Sequence, residues 1–134
     1  MEVYLDTNVF VYALTDELVF GKPCRTLLSE VMEGRCGAVT SAFTFNETVF
    51  LVRKLIGPEA SIAFAETFLA MPNLKIVGLG PEILSKSVEF IKKYGLQAGD
   101  AIHVATAVSS KCAVFYSADE GLKKVIEINL KAPK

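Results

Sequence analysis

The sequence predicts an α/β fold, a three-layer α/β/α sandwich with a mainly parallel central sheet. Three observations predict it. Short apolar runs alternate with longer amphipathic stretches from one end of the chain to the other, with no repeat, low-complexity segment or linker between them. The first run, Val3–Leu5, stops abruptly at the carboxylate of Asp6 and a helical pattern begins at once. The chain has 134 residues of which 51% are hydrophobic, enough to build one real core over residues 1–134.

Taken in order, Val3–Leu5 is the first strand. Thr7 or Asn8 supplies a cap for a helix over Val9–Leu14, and Thr15-Asp16-Glu17 is a polar break. Lys22-Pro23 opens a second helix, with proline near its first turn. Leu27, Leu28, Val31 and Met32 recur there at helical spacing, and Gly34-Arg35-Cys36-Gly37 stops it. Ala38–Thr40 is a short second strand. Ser41 caps a long amphipathic helix over Ala42–Ile56, stopped by Gly57-Pro58. A helix over Glu59–Ala70 follows, ended by Met71-Pro72, and Leu74–Val77 is the third strand. Gly80-Pro81-Glu82 starts a helix to Tyr94, where Gly95 ends it. Gly99-Asp100 starts another to Ser110. Ala113–Tyr116 is the fourth strand, Asp119–Lys124 a helical turn, Val125–Leu130 a final strand, and Lys131–Lys134 reads as a frayed tail. The pattern leaves the strand order open.

Composition narrows the function. A formal net charge of −1 gives no global field for nucleic acid, which excludes a histone-like, purely electrostatic binder. A local basic patch remains compatible with it. Cys24, Cys36 and Cys112 are odd in number and far apart in sequence, so neither a disulfide framework nor a zinc site is expected. Free thiols in a reducing cytoplasm are the expectation. The start is acidic and reaches Asp6 too soon for a signal peptide. No uninterrupted apolar run is long enough to span a membrane.

Parallel strands joined by helices deliver strand C-termini and the following helix N-termini to one edge. Asp6 ends the first strand, Glu47 lies in the second turn of the helix after the second strand, Asp100 opens a helix, and Asp119 follows the fourth strand. The topology therefore sends all four carboxylates toward one edge. Each has an ordinary reading when taken singly. Asp6 and Asp100 suit helix caps, and Asp119 suits a turn. Glu47 has Phe43, Thr44, Phe50 and Leu51 as helical neighbours, an apolar setting in which a buried pair with Lys54 is the plain alternative. Together they are harder to dismiss. Two unit charges about 4 Å apart repel by roughly 4 kcal/mol at an effective dielectric near 20. A domain's whole stability is about 5–15 kcal/mol. No run of Lys or Arg flanks these positions, so Mg²⁺ or Mn²⁺ is the expected counter-charge, and zinc is not, with one His in the chain. A carboxylate-held metal suits phosphoryl chemistry. Thr7, Asn8 and Ser117 are placed to orient water or a phosphate oxygen, with capping and turn bonds as the alternative. His103, one turn after Asp100, is expected to serve structure or to support the carboxylates from behind.

These residues resemble a known family. Tyr4-Leu5-Asp6-Thr7-Asn8, Ser41 with Asn46-Glu47, Gly99-Asp100-Ala101-Ile102-His103-Val104-Ala105-Thr106-Ala107 and Ser117-Ala118-Asp119 are similar to the PIN domain pattern, in its order and over most of the chain. The nearest likeness is to the single-domain VapC-type toxins of prokaryotic toxin–antitoxin pairs. The resemblance implies a Mg²⁺- or Mn²⁺-dependent endoribonuclease that hydrolyses RNA phosphodiesters, leaving a 5′-phosphate and a 3′-hydroxyl. Asp6, Glu47, Asp100 and Asp119 take the places of the family's acidic quartet. Asp6 and Asp100 would be the most direct metal ligands, Asp119 a further one, and Glu47 a ligand or a water orienter. Ser117 fills a place often held by Thr. Gly121-Leu122 departs from the family, which often carries an aromatic residue nearby. Lys22, Arg25, Arg53 and Lys54 are candidates for phosphate contacts, each with a solvated surface charge as its alternative. A homodimer and an antitoxin protein are the implied partners, and an exposed face of Phe10, Tyr12 and Phe20 is a candidate for the antitoxin unless core packing claims it. The rival reading is a non-catalytic PIN-like module that binds RNA or protein.

Overall fold

The structure, a computed structural model, describes residues 1–15 and 17–134, so Asp16 of the expected polar break lies outside the described residues. The alternation of elements is realised as β1 (Glu2–Leu5), α1 (Thr7–Leu14), α2 (Gly21–Met32), β2 (Gly37–Ser41), α3 (Ala42–Leu55) and α4 (Pro58–Ala70). Then come β3 (Leu74–Val77), α5 (Pro81–Tyr94), α6 (Ala98–Ser109), β4 (Val114–Tyr116), a 3₁₀ turn over Glu120–Lys124, and β5 (Leu130–Lys131).

The sheet order is β3-β2-β1-β4-β5 and every pairing is parallel. The chain builds outward from β1 to β3, then returns to the other side of β1 as β4. The order thus reverses between β1 and β4. The crevice outside the strand C-termini at such a reversal is where open α/β sheets take their ligands. Successive side chains on a strand point to opposite faces, and the two faces are covered by different helices. Tyr4, Val39 and Phe115 pack with Phe90, Ala101 and Val104 beneath α5 and α6. Leu5 and Ala38 pack with Phe10, Leu28, Val31, Phe64 and Phe68 beneath α1 to α4. This is the three-layer sandwich expected from the sequence.

The caps explain where elements begin and end. Ser41 Oγ accepts from the N–H of Phe43 at 3.0 Å, as expected. Gly95 closes α5 at φ 67°, a left-handed conformation that glycine adopts freely. Two boundaries differ. α1 starts at Thr7 rather than Val9, because Asp6 itself is the cap: its Oδ1 accepts from the Thr7 N–H at 2.8 Å. The expected strand over Val125–Leu130 shrinks to Leu130–Lys131. Its partner β4 is short, and the ladder pairs only Phe115 with Leu130 and Tyr116 with Lys131. Val125 instead closes the 3₁₀ turn, its N–H donating to Leu122 O at 3.0 Å. The tail is not frayed throughout. Ser117 N–H donates to Lys131 O at 3.1 Å, and Pro133 is buried. Cys24, Cys36 and Cys112 are free thiols. Among the described residues no helix is long and apolar enough to cross a membrane.

Candidate active site

The C-terminal ends of β1 and β4 build the floor of the site. Asp6 is the residue after β1, and its N–H still bonds Tyr116 O at 3.1 Å, so the backbone beneath its carboxylate is tied into the sheet. The carboxylate is buried and both oxygens are held. Oδ1 accepts from Thr7 N–H, and Oδ2 accepts from Ser117 Oγ at 2.7 Å and from Asn8 Nδ2 at 3.4 Å. Ser117 Oγ also accepts from Asn8 Nδ2 at 2.9 Å and from the Asp119 N–H at 3.0 Å. Asn8 Oδ1 takes the Ala118 N–H at 3.1 Å. Asn8 and Ser117 therefore stitch the start of α1 to the loop after β4, and the Asp6 and Asp119 carboxylates are set by the same stitch. The Asp119 carboxylate caps the 3₁₀ turn, with Oδ1 accepting from Gly121 N–H at 2.9 Å. A Cβ at position 121 would stand 3.0 Å from that oxygen, so glycine there keeps the approach open.

Glu47 and Asp100 come from the helices. Glu47 is half-buried on α3, and Oε1 accepts from Thr7 Oγ1 at 2.6 Å while lying 2.6 Å from His103 Nε2. The alternative partner Lys54 takes no part; it is exposed near the far end of α3, and the pairing is with His103. Asp100 sits in the first turn of α6, a favourable place for an anion. Asp6, Glu47, Asp100 and Asp119 all line one pocket of about 250 Å³, together with Thr7, Asn8 and His103. The topological expectation of one shared edge holds for all four.

The electrostatics follow from this crowding. Burial, then the charges of Asp119 and Asp6, push the Asp100 carboxyl above its usual value, with His103 opposing and Glu47 adding. Burial would raise Glu47 too, but the His103 and Thr7 hydrogen bonds and the His103 charge outweigh it and hold Glu47 below the usual carboxylate range. Burial works to lower His103, yet the Glu47 hydrogen bond and the charges of Asp6, Glu47 and Asp100 raise it overall. An all-oxygen set of carboxylates this crowded is the donor chemistry of hard divalent cations.

The sequence-derived cations lie elsewhere. Lys22, Arg25, Arg53 and Lys54 are exposed, and none of them lines the acidic pocket. Arg25 Nη1 donates to Ala13 O at 3.4 Å. Asp119 also forms the edge of a larger groove of about 850 Å³, whose walls include Phe20, Pro23, Lys123, Ile128 and Lys134. Lys123 and Lys134 escaped the sequence reading because they belong to a turn and a tail. Phe10 is not on an exposed face: it is 0% exposed, edge-on to Phe64 and Phe68 in the core. Tyr12 and Phe20 are half-buried and stack on each other at 5.8 Å.

The profile of the PIN domain family matches residues 3–128. The chain belongs to the PIN domain family. A curated relative, the ribonuclease VapC7 of Mycobacterium tuberculosis, is 29% identical over 130 residues, covering 94% of this chain and 88% of that protein. Among solved structures, the PIN fold here is similar to VapBC2 of Rickettsia felis bound to a promoter DNA fragment, with a TM-score of 0.76 at 17% identity over 100% of both chains. It is also similar to Mycobacterium tuberculosis VapC20, described as a toxin cleaving the sarcin–ricin loop, with a TM-score of 0.77 at 14% identity over 94% of this chain and 98% of that one.

Proposed function

We propose that this PIN domain is a Mg²⁺- or Mn²⁺-dependent endoribonuclease and the toxin member of a toxin–antitoxin pair. The observation that carries the reading is the convergence of Asp6, Glu47, Asp100 and Asp119 on one pocket at the reversal of strand order. The ribonuclease name of the curated relative and the toxin complexes among the structural neighbours support it. The donor set fits the proposed ion. Its oxygens are the hard donors that Mg²⁺ and Mn²⁺ take. Asp6, Asp100 and Asp119 would hold it, with Glu47 beside it.

When bound, such an ion neutralises phosphate charge and makes water acidic enough to attack near neutral pH. The chain's own residues then have distinct tasks in hydrolysing the RNA phosphodiester. Ser117 and Asn8 keep the Asp6 carboxylate in one orientation. Glu47, with Oε1 engaged by Thr7 and His103, offers Oε2 as an oriented acceptor for the proton of the attacking water. Lys123 and Lys134, in the groove that shares Asp119, are suited to the phosphates flanking the cut. Cytoplasmic action fits three free thiols. For the antitoxin, or a second copy of this chain, the suited surface carries exposed Leu14, Phe50, Leu55, Ile56 and Ile62. Between its helices lies an apolar hollow of about 300 Å³ bordered by Leu14, Val52, Ile56 and Phe64.

The test is cleavage of a mixed single-stranded RNA pool with Mg²⁺ or Mn²⁺, beside EDTA and an Asp6→Asn protein. Cutting is expected with the metals, none with EDTA, and a loss of at least about 100-fold for Asp6→Asn. No cutting and no Mn²⁺ binding by calorimetry would overturn the reading in favour of a binding module.

A further inference from the structure

His103, the one histidine in the chain, lies deep in the fold at 2% exposure, yet both of its ring nitrogens are engaged. Nε2 is 2.6 Å from Glu47 Oε1, and Nδ1 is 2.7 Å from the Tyr4 hydroxyl. Tyr4 is fully buried and lies two residues before Asp6, on the same face of β1. Its ring stacks on Phe115 at 4.8 Å and meets the imidazole edge-on at 5.9 Å, so neither ring has freedom to turn. A carboxylate accepts and does not donate, so the proton between Glu47 and His103 belongs to Nε2. A neutral ring then has a bare Nδ1, and the Tyr4 O–H is the donor placed to meet it.

We infer that Tyr4 and His103 are positioning residues of the acidic site: the Tyr4 hydroxyl, bonded to Nδ1, holds the His103 ring where its Nε2–H locks Glu47 Oε1, leaving Oε2 as the single working oxygen. Thr7 Oγ1 donates a second hydrogen bond to Oε1 at 2.6 Å, while Oε2 accepts none among the described residues. Oε2 lies beside Gly99, where an added Cβ would stand 3.5 Å from it and 3.1 Å from Phe43 Cε2. Glu47 is therefore clamped on one side and left open on the other. The chain of contacts ties four elements together: Tyr4 on β1, His103 on α6, Glu47 on α3 and Thr7 on α1. An error in the position of an acidic group is costly in a site of this kind, which is why groups behind the working residues are built as rigidly as the residues themselves. The consequence for catalysis rests on the nuclease reading; the Tyr4–His103–Glu47 chain stands without it.

Two measurements test it. The first needs no RNA. Because the protein has one histidine, ¹⁵N-labelled imidazole gives one set of ring signals, recorded at alkaline pH on the metal-free chain. The expected result is a protonated Nε2 and a bare, hydrogen-bonded Nδ1, with Tyr4→Phe moving the Nδ1 signal to that of a nitrogen that accepts no hydrogen bond. A proton on Nδ1, or an unchanged spectrum in Tyr4→Phe, overturns the inference. The second is steady-state cleavage. His103→Leu should lower kcat by about 10–100-fold with KM for RNA unchanged. His103→Gln, which offers an amide N–H near the Nε2 position, should recover most of the loss. In a Glu47→Gln background His103→Leu should change nothing further. Wild-type kcat in a folded His103→Leu protein, or no recovery by His103→Gln, overturns it. Should His103→Leu fail to fold by urea titration, His103→Gln and Tyr4→Phe carry the same comparison. A wild-type protein that cuts no RNA defeats the nuclease reading and leaves the imidazole spectrum to decide this one.

Discussion

At the scale of single residues, Ser117 concentrates more of the site than any carboxylate does. Its hydroxyl gives its proton to Asp6 Oδ2 at 2.7 Å and accepts from Asn8 Nδ2 at 2.9 Å and Asp119 N–H at 3.0 Å. It is 2% exposed, so these hydrogen bonds are made away from bulk solvent. Removing the hydroxyl leaves a buried carboxylate oxygen and two N–H groups short of a partner. An unsatisfied buried polar group costs about 1–3 kcal/mol. Ser117→Ala should therefore lower unfolding stability in urea by about 2 kcal/mol, and should also reduce cleavage because Asp6 loses its orientation. Ser117→Thr keeps the hydroxyl and should restore most of both. A Ser117→Ala protein as stable as wild type would show that the Asn8–Ser117–Asp6 stitch carries no weight.

Elements are where sequence and structure agree most closely, because their limits are set by local chemistry. α5 is the clearest instance: Pro81 at its start and Gly95 at its end bracket Pro81–Tyr94 as read from the sequence. Gly95 is exposed, holds φ 67°, and has no heavy atom within 4 Å of an added Cβ. A Gly95→Ala protein meets no clash, only the left-handed backbone, which costs an L-residue about 1 kcal/mol. It should lose about that much stability in urea titration while metal binding and cleavage stay at wild-type values, since α5 supplies nothing to the pocket. The acidic quartet was legible for the same local reason, each carboxylate standing at a strand end or in the early turns of a helix. What escaped the sequence had non-local causes. The Val125–Leu130 stretch promised a strand, but β4 offers too short an edge to pair it. Phe10 was open to an exposed face or to the core, and Phe64 and Phe68 of α4 decide for the core. For Glu47 the plain alternative was a pair with Lys54 along its own helix, whereas its partner stands 56 residues away on α6. One signal for that pairing was present: Tyr4 and Asp6 share a face of the first strand, and His103 follows Asp100 by one turn.

At the scale of the whole molecule, the fold holds a concentration of negative charge that it does not itself neutralise. The strand order reverses between β1 and β4, and this brings Asp6, from one half of the chain, against Asp119, from the other. α3 and α6 add Glu47 and Asp100 from opposite layers. Within the pocket His103 is the one ionisable nitrogen, and it is already committed to Glu47. Asp100 records the result, raised first by burial and then by Asp119 and Asp6. The sign follows from proton linkage. A carboxyl whose folded pKa is raised contributes stability below the usual carboxylate range and loses it as pH rises through the raised value. At neutral pH the metal-free protein therefore carries Asp100 at a cost. Asp100→Asn should melt higher than wild type at pH 7 without metal. The difference should close as pH falls into the carboxylate range, where Asp100 takes up its proton. Adding Mn²⁺ at pH 7 should reverse the order, raising the wild-type Tm and leaving Asp100→Asn nearly where it was, because a ligand stabilises only the form that binds it. Scanning calorimetry of the two proteins at pH 4 and pH 7, with EDTA and with Mn²⁺, reads all four comparisons. An Asp100→Asn protein that melts lower than wild type in EDTA at pH 7 would mean that the carboxylates sit comfortably together, and the physical case for a cation at this edge would go with it.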